Sequence, residues 1–117
     1  MATILQGNRA SKGQARGRVR FLTNRQILTG NYEFQEGDIL AMTMTDPEAV
    51  PVMRISAAII TLIGGRTCHA AIVAREMTKP AIVALETALN AHSMTIEGLD
   101  GLDVSVNGDT GEVTIHG

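Results

Sequence analysis

The sequence predicts a single mixed α/β domain with few helices, and three observations support that prediction. The chain has 117 residues, which is enough for one hydrophobic core. Short runs typical of strands outnumber the segments with helical periodicity. Apolar residues make up 44% of the chain but aromatic residues only 3%, so the core must consist of Ile, Val, Leu, Met and Ala. We therefore expect residues 1–117 to form one domain.

Strands of two kinds are predicted along the chain. Residues 16–23 alternate between polar and apolar, which is typical of a half-buried strand, and a second strand is expected at 38–44. Residues 57–63 and 81–85 are almost continuously apolar, which indicates strands buried on both faces. Three short strands are predicted near the end of the chain, with an Asn-Gly-Asp-Thr-Gly hairpin turn between the last two, at 94–97, 102–106 and 112–116.

Helices are expected between these strands. Residues 45–48 offer a capping oxygen, a proline in the first turn and an acid at the positive end, while Pro51 predicts a short turn followed by a second helix start. A helix is predicted from Thr67 to about Met77, because small and apolar helix formers fill it. A helical turn is expected at 86–91. The polar residues 24–35 are expected to form a loop.

The overall composition argues against several classes of protein. A net charge of −2 without a basic run gives no reason to expect a nucleic-acid partner. No apolar stretch is long enough to span a bilayer and no signal peptide is visible, so no membrane partner is expected. The single cysteine excludes an internal disulfide and fits a reducing compartment. We expect a cytoplasmic protein.

The most specific functional prediction from the sequence concerns His69. Gly64 and Gly65 follow a buried strand, and the histidine comes where the chain turns through these glycines into a helix. The first amides of a helix lack intrahelical partners and carry the positive end of its dipole, so they form an anion site. A neutral imidazole nitrogen beside such a site is a suitable phosphoryl acceptor.

Residues 64–75, Gly-Gly-Arg-Thr-Cys-His-Ala-Ala-Ile-Val-Ala-Arg, resemble the phosphohistidine signature of the phosphoenolpyruvate-utilising enzymes. The Thr-Cys-His variant is typical of the dikinases of that family, phosphoenolpyruvate synthase and pyruvate phosphate dikinase. The resemblance implies their central mobile domain, a swivelling β/β/α fold with a layered sheet core and helices on one face. Weaker similarities in the family's order extend it over nearly the whole chain, at 7–17, 45–53, 79–83 and 103–113.

This resemblance implies a carrier cycle for the domain. A companion ATP-binding domain transfers a phosphoryl or pyrophosphoryl group from ATP to His69. The domain then swings to a phosphoenolpyruvate/pyruvate-binding domain, where the group passes to pyruvate or a related acceptor, or returns from phosphoenolpyruvate. Mg²⁺ and ATP are expected at these companion domains, and no cofactor on this one. The chain is thus expected to be a phosphotransferase component that is inactive alone. Two alternatives stay open: a paralogous carrier for another acceptor, and a non-catalytic interaction module that retains the fold.

The neighbours of His69 have predicted roles as well. Thr67 is predicted to be the N-cap of the helix, and the resemblance places it beside the histidine. Gly64 and Gly65 let a phosphate approach the backbone, although a tight turn alone would also favour them. Cys68 is predicted to contribute backbone to the phosphate site and to pack with its side chain. Adjacent helical residues splay about 100° apart, which suits a nucleophile–base pair poorly.

Further predictions concern the other histidines, Arg75 and two positions that are usually glycine in the family. No metal site is expected, because His92 and His116 are isolated from other ligands. Arg75 lies about 120° from the face of the nucleophilic histidine and is predicted to be structural or to dock a partner. The family usually has glycine where this chain has Thr78 and Ala84, and a helix C-cap would prefer glycine at the first of them.

Overall fold

The computed structural model describes residues 2–116, and the elements below are those of that range. Its strands are β1 (Thr3–Gln6), β2 (Asn8–Ser11), β3 (Gln14–Phe21), β4 (Ile39–Met42), β5 (Ala58–Thr61), β6 (Ala81–Val83), β7 (Asp103–Asn107) and β8 (Glu112–His116). Its helices are α1 (Asn24–Thr29), α2 (Val50–Ile55), α3 (His69–Glu76) and α4 (Glu86–Ala91), with short 3-10 helices at Pro47–Ala49 and Glu97–Leu99. None of the helices in this range is long and apolar enough to cross a membrane.

The eight strands form one sheet in the order β1-β8-β7-β3-β4-β5-β6-β2, and β3 divides it into two halves. Residues 14–18 of β3 pair antiparallel with β7, whereas residues 19–21 pair parallel with β4. We call β1, β8, β7 and the first part of β3 the antiparallel half. The parallel half consists of the rest of β3 with β4, β5 and β6, and β2 closes it as an antiparallel edge strand.

Two hydrophobic clusters define the layers of the domain. Along β4, Ile39 and Ala41 point into a first cluster, and Leu40 and Met42 point into a second. The first cluster also contains residues of the antiparallel half such as Val104, so the two halves of the sheet face each other across it. The second cluster lies between the parallel half and the helices α1, α2 and α3. This layering confirms the predicted swivelling β/β/α fold.

Several predicted elements are present with shorter bounds. The two strands expected to be buried on both faces are β5 and β6, and every residue in them is buried. The double helix start at 45–51 is also confirmed. The side chain of Asp46 accepts a bond from the amide of Glu48 at 3.1 Å to cap the first 3-10 helix, and Pro51 lies in the first turn of α2.

The prediction of a loop over residues 24–35 is wrong, because α1 occupies its first half. The helix begins with a capping box in which the amide of Gln26 donates to Thr23 Oγ1 at 3.1 Å and the amide of Thr23 donates to Gln26 Oε1 at 2.9 Å. Gly30 ends it at a φ of 73°. Local capping thus supports a helix in a segment with no fully buried residue, in which Ile27 is partly buried against the second cluster.

The prediction of a strand at 94–97 is also wrong. The segment turns and runs into the 3-10 helix Glu97–Leu99, which Thr95 supports by accepting a hydrogen bond from the amide of Gly98 at 3.1 Å. Ser93, at a φ of 54°, reverses the chain just before it. Ile96 is buried by this turn rather than by strand alternation.

Candidate functional site

The histidine predicted as nucleophile is the first residue of α3, in the connection that follows β5. The amide of Cys68 donates to the carbonyl of Gly65 at 3.2 Å, which closes a turn around Arg66 and Thr67. Because Thr67 lies inside this turn, the N-cap position of the helix is occupied by Cys68. The prediction that Thr67 is the N-cap is therefore wrong. Its side chain is exposed in the turn, two residues before His69.

The positive end of α3 has no side-chain cap. Cys68 makes no capping hydrogen bond, and its carbonyl accepts the first helical bond from the amide of Ile72 at 3.1 Å. The amides of His69, Ala70 and Ala71 precede that bond, so they have no intrahelical acceptor. The helix start therefore combines an imidazole with amides that can bind an anion.

The orientation of the imidazole is set by a residue from the neighbouring strand connection. Thr45 Oγ1 lies 2.8 Å from His69 Nδ1, and Thr45 is buried. Thr45 follows β4 and His69 follows β5, and these parallel strands are paired directly. The hydrogen bond occupies Nδ1, while Nε2 makes no hydrogen bond within the described chain.

Sequence reasoning missed Thr45 as a site residue and used it only as part of a helix start. A usable signal exists, because parallel neighbouring strands end at the same edge of a sheet and their loops form sites there. The polar residue after β4 and the histidine after β5 are thus candidates for contact. Nothing in a local pattern links two residues that are 24 positions apart.

The two glycines of the loop differ in what the structure requires of them. Gly64 has a φ of 139°, and a Cβ built on it would lie 2.9 Å from Cys68 Sγ, so both the backbone and the packing need glycine. Around Gly65 there is nothing within 4 Å of a built Cβ, so open space lies beside it. Cys68 itself is half-buried and packs against the second hydrophobic cluster, as predicted.

Arg75 is a structural residue, which confirms one of the two predicted roles. Its Nε donates to the carbonyl of Ala10 in β2 at 2.8 Å, and its Nη2 donates to the carbonyl of Arg66. The side chain therefore ties α3 both to the edge strand and to the turn that precedes His69.

The surroundings of the site include three exposed apolar side chains. Met44 precedes Thr45, Ile63 precedes the glycine pair, and Ile72 lies one turn after His69, with exposed fractions of 50%, 38% and 45%. Each belongs to a segment that builds the site.

The other two histidines are not assembled with metal ligands. No group of three or more His, Cys, Asp or Glu side chains that could hold a metal ion occurs between residues 2 and 116. His116 lies in β8, where its Nε2 is 2.7 Å from Ser105 Oγ of the paired strand β7. His92 ends α4 at the C-cap position.

Comparison with known proteins gives a consistent result. Residues 34–111 match the family described as PEP-utilising enzyme, mobile domain. The chain is 42% identical to a probable phosphoenolpyruvate synthase of Archaeoglobus fulgidus over 110 residues, which are 94% of the chain and 13% of that protein. It is 50% identical to the phosphoenolpyruvate synthase of Deinococcus radiodurans over 68% of the chain and 10% of that protein. The chain thus spans only about an eighth or less of the length of these relatives.

The fold is also similar to a solved structure described as the N-terminal domain of Enzyme 1 - Nitrogen. The TM-score is 0.59 at 17% identity, covering 75% of this chain and 35% of that one. At that identity the similarity concerns the fold alone.

Proposed function

Because the chain belongs to the mobile-domain family of the PEP-utilising enzymes, we propose that it is a phosphohistidine carrier in which His69 takes a phosphoryl group from one partner and passes it to another. In this proposal residues 1–117 act as one carrier domain. The observation that supports it best is the hydrogen bond of 2.8 Å between Thr45 Oγ1 and His69 Nδ1. It orients the imidazole at a helix start whose amides are uncapped.

The hydrogen bond at Nδ1 supports Nε2 as the nitrogen that reacts. When Nδ1 carries the proton and donates it to Thr45 Oγ1, the lone pair of His69 Nε2 is free to attack phosphorus. The N–P bond forms as the bond from phosphorus to the oxygen of the leaving group breaks, and that oxygen takes the electron pair. The proton stays on Nδ1 throughout, so no general base is needed to activate the nucleophile.

The uncapped helix start has a role in the same step. The transferring phosphoryl group spreads negative charge over its equatorial oxygens, and charge stabilisation is the main contribution that a protein makes to such a transfer. Amides of His69, Ala70 and Ala71 can supply part of it. The open space at Gly65 gives the group a path to the backbone, and the exposed Thr67 hydroxyl can contact it from the turn.

The remaining machinery belongs to companion domains in this proposal. An ATP-binding domain with Mg²⁺ donates the group, and a phosphoenolpyruvate/pyruvate-binding domain receives it, as in a dikinase-type phosphotransferase. The chain alone is therefore not a complete enzyme. The exposed apolar side chains of Met44, Ile63 and Ile72 suit a site that is covered by a partner during transfer. A cytoplasmic location is part of the same proposal, in keeping with the one free cysteine.

The test is phosphoryl transfer to the chain itself. The 117-residue chain is mixed with the two companion domains of a phosphoenolpyruvate synthase and with labelled ATP or phosphoenolpyruvate, and acid-labile, base-stable label is measured. Wild type and the control His116→Ala are expected to take up label, while His69→Ala takes up none and keeps its circular dichroism spectrum. Label on His69→Ala would show that another residue is the carrier. An unlabelled wild type that binds the companion domains would favour the interaction module.

A further inference from the structure

A concave surface lies along the edge strand β2. It is a groove of about 800 Å³ between β2, the end of α3 and the turn that joins β7 to β8. Its volume falls within the range of small-molecule sites. The charged residues that line it are Arg9, Lys12, Arg66, Arg75 and Asp109.

These residues give the groove a strong excess of positive charge, with four cations against one carboxylate. The carboxylate is already engaged, because Asp109 Oδ1 accepts a hydrogen bond from the amide of Gly13 at 3.1 Å. None of the four cations forms a salt bridge within the described part of the chain, although that part contains three other salt bridges. The overall charge of −2 makes this local concentration of cations more notable.

Two of the guanidinium groups are held in place by the backbone. Arg75 donates through Nε to the carbonyl of Ala10 at 2.8 Å, and Arg9 donates through Nη1 to the carbonyl of Asp109 at 3.3 Å. Each keeps further N–H groups for a ligand. Positioned guanidinium groups match the oxygen pairs of phosphates, and their order reduces the entropy lost on binding.

The main chain of β2 is a poor template for an added peptide strand. The carbonyl of Ala10 already accepts a hydrogen bond from Arg75, so it is not free to accept one from an added strand. At the two ends of β2, the amide of Gly7 donates to Gly111 and the amide of Gly108 donates to Gly13, so the β7–β8 turn covers both ends. Recognition in the groove therefore depends on the charged side chains.

We propose that this groove binds a small polyanion with two or more adjacent phosphates, of the class of nucleoside di- and triphosphates or inorganic pyrophosphate. The ligand binds without covalent chemistry, through the guanidinium groups of Arg9 and Arg75 and the charges of Lys12 and Arg66. Arg66 also belongs to the turn that precedes His69, so an occupied groove would contact the loop of the carrier site. The binding site does not depend on phosphorylation of the histidine.

The test uses inorganic pyrophosphate and the ¹⁵N-labelled 117-residue chain, followed by amide chemical shifts. Binding with a Kd below about 1 mM is expected, with shifts concentrated at residues 8–12 and 108–110. The double variant Lys12→Gln/Arg66→Gln should raise the Kd about tenfold or more. Added salt should weaken binding in wild type. The matched control Arg25→Gln/Arg54→Gln loses the same charge from exposed helix positions outside the groove, and should bind like wild type.

Three results would overturn the proposal. One is the absence of binding at millimolar pyrophosphate, and another is an equal loss of affinity in the groove and control variants. The third is tighter binding of a hexaglutamate peptide than of pyrophosphate, which would make the groove a docking surface for an acidic protein segment. His69→Ala should bind pyrophosphate like wild type. Failure of phosphoryl transfer with intact pyrophosphate binding would thus contradict the carrier function alone.

Discussion

Each half of the sheet contains a histidine bonded to a hydroxyl group, and the two pairs have almost the same length. In the parallel half, His69 Nδ1 lies 2.8 Å from Thr45 Oγ1. In the antiparallel half, His116 Nε2 lies 2.7 Å from Ser105 Oγ. Both rings are half-buried. A histidine–hydroxyl pair by itself therefore does not distinguish a reactive site from a structural contact.

The difference lies in what surrounds each ring. His69 starts an uncapped helix behind a glycine turn, at the edge where the parallel strands end and their loops diverge. His116 is part of a regular antiparallel ladder, where it stands opposite Asp103. In the proposed function a phosphate at His69 faces backbone amides, whereas His116 stands opposite an Asp103 carboxylate that Arg16 already engages. The position of each ring in the topology, more than the pair itself, accounts in the proposed function for the difference between the two histidines.

The largest expected effect comes from removing the hydroxyl group that contacts His69. Thr45→Val keeps the buried volume but leaves Nδ1 of His69 without its partner, so the ring loses its orientation and its preferred tautomer. The rate of acid-labile labelling should fall about tenfold to a hundredfold. Thr45→Ser should keep most of the rate, and the matched variant Ser105→Ala should keep all of it. Equal loss in Thr45→Val and Ser105→Ala would remove the distinction between the two histidines.

The two glycines before His69 should respond differently to alanine. Gly64→Ala places a Cβ 2.9 Å from Cys68 Sγ at a φ of 139°, and should lower the free energy of unfolding by about 1–3 kcal/mol. Gly65→Ala has open space and should unfold in urea close to wild type, while slowing labelling. A large loss of stability in Gly65→Ala would mean that both glycines serve the turn.

Backbone strain at non-glycine residues of the described chain is concentrated in the connections between β5 and β7. The non-glycine residues at positive φ within the described chain are Thr78, Ala84 and Ser93, at 57°, 58° and 54°, and all lie in connections that follow α3, β6 or α4. The first two stand where the family usually has glycine. Thr78→Gly and Ala84→Gly should each raise the free energy of unfolding by about 0.5–1 kcal/mol, with the larger gain for the β-branched threonine.

A glycine placed in a helix provides the control for this prediction. Ala91→Gly, in the last turn of α4, should lower the free energy of unfolding by about 0.5–1 kcal/mol, because no left-handed conformation favours glycine there. Urea denaturation of the three variants gives the comparison. If Thr78→Gly and Ala84→Gly are also destabilising, side-chain contacts at those positions outweigh the strain.

Much of this architecture could be predicted from the sequence, and the errors have physical reasons. The strands β5 and β6 were evident because burial on both faces leaves continuous apolar runs. The strands β1 and β2 have only four residues each, and two of those in β1 and two in β2 are exposed, so no such run marks them. At the site, His69 could be identified from its local motif. Thr45 could not, because its contact exists only once two parallel strands pair.

The smallest expected effect concerns the ion pair in the antiparallel half. Arg16 donates to both carboxylate oxygens of Asp103 at 3.1 and 2.7 Å. This hydrogen bonding, aided by the charges of Arg16 and His116 and opposed by desolvation, lowers the pKa of Asp103 below its ordinary value of 3.8. A carboxyl group whose pKa is lower in the folded state stabilises the protein above its unfolded pKa. That stabilisation is lost as the pH falls through the folded pKa.

Asp103→Asn should therefore lower the melting temperature slightly at neutral pH. The effect is small because both partners of the ion pair are exposed. The size of this decrease should be smaller than the size of the increase expected for Thr78→Gly. The difference from wild type should disappear as the pH falls below 3.8 towards about 2, and also in about 1 M NaCl. Arg16→Gln should show the same dependence on pH and salt. If the difference persists in acid or high salt, its cause would be the pairing of β7 with β3 and not the ion pair. Asp103 stands opposite Arg18 in the backbone register of these two strands.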